Sequence, residues 1–88
     1  MSETERKRGE TLDDVIVRLV EARGQGKTIC PSEAAREIRQ ENWQQLMGEI
    51  RVRAAKLARD GKIAIYRKGK PADPDSFKGV YRLGFPSD

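Results

Sequence analysis

The sequence predicts a small α+β domain, three helices followed by a two-stranded β-hairpin. Apolar residues recur at helical spacing as far as Gly61, and beyond it they alternate. Thr11, Gly24, Pro31, Asn42 and Gly61 fall where helices of these lengths start and stop. With 88 residues, of which 36% are apolar, the chain is long enough for one core and too short for two. A single domain is therefore expected over residues 11–86, after a tail at 1–10 that alternates basic residues with Glu and reads as disordered.

The first helix opens at Thr11, whose hydroxyl suits an N-cap, with Asp13 and Asp14 in the positively polarised first turn and Gly24 beyond the last. Leu12, Val15, Ile16, Leu19 and Val20 share one face. Thr28 to Cys30 suit a short extended bridge. Pro31 is compatible with the first position of a second helix, where its missing N–H leaves no bond unmade. Ala34, Ala35 and Ile38 give that helix a small inner face, and its end is expected near Gln40.

Asn42, with Gln45 three residues on, has the spacing of a capping box for a third helix. Trp43, Leu46, Met47, Ile50, Ala54, Leu57 and Ala58 fall on one stripe, which makes Trp43 a core residue rather than a base-stacking platform. Then Ile63 and Ile65 alternate with polar neighbours, and Val80 to Leu83 supply a return strand. The connection KGKPADPDSFKG carries Lys68, Lys70 and Lys78 on its stems and Asp73 and Asp75 at its tip. Pro71 and Pro74 stiffen it, so it reads as a preorganised hairpin loop. This element order is that of a winged helix-turn-helix.

The run from Gly26 through Thr28-Ile29-Cys30-Pro31-Ser32-Glu33 to Arg36 carries a resemblance, as do Trp43 with Leu46-Met47 and the segment Arg51 to Gly61. Arg67-Lys68-Gly69-Lys70-Pro71, Asp73-Pro74, Lys78-Gly79 and Arg82-Leu83 extend it. Over about residues 12 to 85 the chain resembles the bacterial domain of unknown function 3253, and the resemblance implies a winged-helix fold and no established activity.

Several chemistries find no support. Without histidine and with the single Cys30, no zinc tetrad or histidine acid–base pair can be assembled, and no cofactor or enzymatic activity is expected. Cys30 reads as a small buried hydrophobe. Gly24-Gln25-Gly26-Lys27-Thr28 resembles the end of a phosphate-binding loop, but Glu21 stands where the first glycine belongs and a helix precedes it. It reads as a glycine-rich turn. No apolar run is long enough to span a membrane and no leader pattern opens the chain, so a cytoplasmic protein is expected.

The net charge of +4 is concentrated: residues 51–70 hold eight Lys or Arg against one Asp. Such a basic segment suggests an anionic partner, duplex DNA first. On that expectation Gln44 and Gln45 reach base edges, Arg51, Arg53, Lys56 and Arg59 meet phosphates, and Lys68 and Lys70 on the wing stems add further contacts. Glu49 interrupts that surface. Gly48, Val52 and Ala55 make part of it small and apolar, which suits the alternative of a protein-interaction module.

Overall fold

The computed structural model describes residues 10–86. The expected tail at 1–10 thus lies outside the described residues except for Glu10, which accepts two hydrogen bonds from Arg18, at 2.7 and 3.1 Å. Helix α1 spans Leu12–Arg23, α2 Pro31–Ile38 and α3 Met47–Arg59, the last preceded by a 3-10 turn at Trp43–Leu46. Strand β1 is Thr28–Ile29, β2 Ala64–Arg67, β3 Lys70–Pro71 and β4 Arg82–Gly84. They form one antiparallel sheet in the order β1-β4-β2-β3. Three helices and this sheet make a mixed α+β domain compatible with a winged-helix-like arrangement.

The helix ends follow local chemistry. Thr11 and Asp14 exchange both bonds of a capping box, the Asp14 N–H donating to the Thr11 hydroxyl at 3.2 Å and the Thr11 N–H to the Asp14 carboxylate at 3.0 Å. Two bonds close α3, from the Gly61 N–H to the Ala58 carbonyl and from the Lys62 N–H to the Leu57 carbonyl, at 3.1 and 3.0 Å. That pairing requires the residue after the cap to be left-handed, and Gly61 is, with φ 79°.

One expected cap does not form. Asn42 itself is left-handed, with φ 60° and ψ 29°, so its carbonyl rather than its side chain meets the Gln45 N–H, at 3.1 Å. The chain enters through a 3-10 turn, and regular α-helix starts only at Met47.

The core lies between the helices and one face of the sheet. Val15, Ile16 and Val20 of α1, Ala34 and Ala35 of α2, and Ile50, Ala54 and Leu57 of α3 meet Ile29, Ile63, Ile65 and Leu83 from the sheet side. Phe77 and Tyr81 close it from the loop, their rings edge to face with centroids 4.9 Å apart.

The stretch from Lys68 to Gly79 differs most from expectation. Rather than a single loop, it begins with a tight two-residue turn, Lys68-Gly69, both with positive φ (53° and 80°). Such turns match the right-handed twist of the strands they join, and Arg67 pairs with Lys70 across this one. The expected return strand at Val80 to Leu83 starts two residues later, and Val80 is 85% exposed. Residues 72–81 instead form a strap that returns to α3.

Candidate nucleic-acid interface

The four basic side chains expected to meet phosphates from α3 all have partners within the fold. The Arg53 guanidinium grips Asp13 of α1 through two 2.7 Å bonds, fork to fork, which raises its pKa. Lys56 pairs with Asp60 one turn on, at 3.3 Å, and Arg59 with Asp75 of the strap at 2.7 Å. Arg51 is held most closely: its guanidinium donates to the Phe77 carbonyl and lies 4.1 Å from the Phe77 ring centre and 5.4 Å from that of Tyr81. On the helix, then, the basic segment is largely neutralised by Asp13, Asp60 and Asp75.

Gln44 and Gln45 are exposed on the 3-10 turn. Beside them Trp43 is half-buried, with the Arg36 guanidinium 4.6 Å above its ring. Beyond them Gly48, Glu49 and Val52 face outward, Val52 being 64% exposed. Val52 and Ala55 line a groove of about 280 Å³ between α3 and the strap, closed by Arg51, Pro74, Asp75 and Phe77. This outer face is small, apolar and partly covered.

Lys68 and Lys70 behave differently. Both are exposed at the tip of the β2–β3 hairpin, and neither forms an ion pair with a described residue. Lys68 joins Lys27 and Arg82 on the wall of a cleft of about 230 Å³ whose other lining residues are Gly26, Thr28, Tyr66, Gly69 and Phe85. Among the described residues, three cations and no carboxylate face this cleft.

The sheet register brings them there. Tyr66 stands opposite Arg82, and Thr28 opposite Gly84, so these residues share the sheet face away from the buried Ile65 and Leu83. Gly84 has no side chain where a Cβ would meet the Lys27 carbonyl at 2.9 Å and the Tyr66 ring at 3.2 Å. The ring lies against that gap, with its hydroxyl donating to the Phe85 carbonyl at 2.5 Å.

The sequence reading missed Lys27, Thr28 and Arg82. The Gly-Lys-Thr run is the signal for Lys27 and Thr28, and it stands without the first glycine and preceding strand of a phosphate-binding loop. Only the pairing of β1 with β4, across more than fifty residues, brings Arg82 to it.

Among the described residues no helix is long and apolar enough to cross a membrane. Residues 9–86 match the family model described as Protein of unknown function, DUF3253. No curated protein matches the chain.

Proposed function

The chain belongs to the DUF3253 family, and from the distribution of its unpaired cations we propose that it is a nucleic-acid-binding module that holds duplex phosphates weakly and without sequence preference. One observation carries this reading: Lys27, Lys68 and Arg82 line one cleft with no carboxylate of a described residue on its wall, and Lys70 follows on β3 without an ion pair among the described residues, while Arg53, Lys56 and Arg59 of α3 are paired internally. Like charges held together repel unless an anion joins them, and a nucleic-acid backbone supplies anions at regular spacing.

The contact surface therefore moves from the helix to the wing. Fluorescence anisotropy on a duplex at low salt tests this. Lys68→Glu with Lys70→Glu should abolish binding, whereas Lys56→Glu with Arg59→Glu should weaken it by less than about threefold, since those charges are already compensated. Equal loss from both pairs would restore the helix as the contact surface, and no binding at low salt would end the proposal.

A second reading has one observation in its favour, the exposure of Val52 beside the groove under the strap. A module docking a protein partner there would lose that partner on Val52→Asp and would not bind duplex at any salt concentration.

A further inference from the structure

The cleft between the loop at 26–28 and the Lys68-Gly69 turn has more order than a backbone-tracking surface requires. Arg82 is fixed in place: its Nε–H donates to the Thr28 hydroxyl at 2.6 Å and its Nη2 to the Thr28 carbonyl at 3.2 Å. Because the Thr28 hydroxyl accepts from Arg82, its own proton remains to be donated to something else. Lys27 and Lys68 stand on the same cleft with no ion-pair partner among the described residues. Gly26 and Gly69 leave open space where a side chain would stand, so a ligand can approach both backbones. Tyr66, tied to Phe85 at its hydroxyl, adds a rigid aromatic wall.

We propose that this cleft is a site for a phosphate monoester, its phosphate held by Lys27, Thr28, Lys68 and Arg82 and the group that bears it resting against Tyr66. The charge count favours a monoester over a backbone diester. A monoester carries about −1.5 to −2 at pH 7, which suits three cations better than the single charge of an internal phosphate. Size points the same way. At about 230 Å³ the cleft is smaller than the roughly 300–1,000 Å³ of drug-sized sites, room for one phosphate and part of what bears it. The Gly-Lys-Thr run thus serves an anion without a phosphate-binding loop around it. This inference does not depend on duplex binding.

A monoester reaches such a site free, as a nucleotide, or as the end of a nucleic-acid strand. Backbone amide NMR at low salt separates the two, using adenosine 5′-monophosphate, adenosine, and one short oligonucleotide with and without a 5′-phosphate. The expected result is movement of the Lys27, Thr28, Gly69 and Arg82 amides with the monophosphate and none with adenosine. Lys27→Gln and Lys68→Asn should each weaken binding about tenfold, while Lys78→Gln should leave it unchanged. Asparagine is chosen because it tolerates the left-handed backbone of Lys68. Binding of the 5′-phosphorylated strand alone, with the same dependence on Lys27 and Lys68, identifies a strand end as the ligand. The proposal is overturned if neither ligand moves those amides, if adenosine moves them equally, or if Lys78→Gln weakens binding as much as Lys27→Gln. A blunt duplex without terminal phosphates tests the wing reading separately.

Discussion

Tyr81 places its ring in the core and leaves its hydroxyl buried with no hydrogen-bond partner among the described residues. Burial disfavours the phenolate and raises the Tyr81 pKa, against a smaller opposing pull from the Arg51 guanidinium. A raised folded pKa means that the contribution to stability is complete below the unfolded value, about 10, and is lost as pH rises through the folded one. Tyr81→Phe should therefore be neutral or stabilising by up to about 1 kcal/mol at pH 7, since it removes an unsatisfied polar atom, and should blunt alkaline unfolding. Urea denaturation at neutral and alkaline pH would show both effects, and a clear loss of stability at pH 7 would mean that the hydroxyl has a partner. Gly84 sets the opposite constraint. Gly84→Ala puts a Cβ 2.9 Å from a backbone carbonyl that cannot swing aside, so a loss of about 1–3 kcal/mol is expected, read as an earlier urea midpoint. A midpoint unchanged by that substitution would show that β1 and β4 are free to separate. Residue-scale features were legible where their partners are local. Thr11 and Asp14 lie three positions apart, and their capping box formed at the helix start that the sequence indicated. The internal partner of Arg51 was not legible, because the carbonyl it holds lies 26 residues away.

At the scale of elements, the hydrophobic periodicity was a reliable guide and the turns were less so. The stripes of α1 and α3 became the core because a helix must bury a continuous apolar face. KGKPADPDSFKG was less legible. Its prolines and acidic tip suggested one long loop, yet Lys68-Gly69 closes a hairpin at once and the rest becomes the strap. Besides the burial of Phe77 and Tyr81, two polar contacts hold that strap to α3, and they differ in strength. The Arg59–Asp75 pair is 49% and 64% exposed, so solvent screens it and Asp75→Asn should change stability by less than about 0.5 kcal/mol. Arg51 combines a hydrogen bond with two aromatic contacts against half-buried surface, and Arg51→Ala should lose about 1–3 kcal/mol. Limited proteolysis should then cut within residues 72–80 in Arg51→Ala and not in Asp75→Asn. Equal cutting of both would mean that the ion pair secures the strap as much as the stacked guanidinium does.

For the whole molecule, what matters is how many of its cations remain to meet an external anion. Counted from the sequence, helix and wing together offer about six phosphate contacts, and a log-log salt dependence near −5 follows. The fold changes that number. Arg53, Lys56 and Arg59 are already paired with carboxylates, and Arg51 with a carbonyl and two rings, so displacing them returns little of what breaking those contacts costs. On the proposed wing surface Lys27, Lys68, Lys70 and Arg82 remain, the last partly engaged with Thr28. Some three or four contacts give a slope near −3, since each phosphate neutralised on duplex DNA contributes about −0.9. Measured by anisotropy across a range of salt concentrations, the slope distinguishes the two surfaces without any substitution. A value near −5 would require the α3 cations to leave their partners on binding. A value near −3 that falls by about two in Lys68→Gln with Lys70→Gln, and is unchanged in Arg59→Gln, places the contacts on the wing.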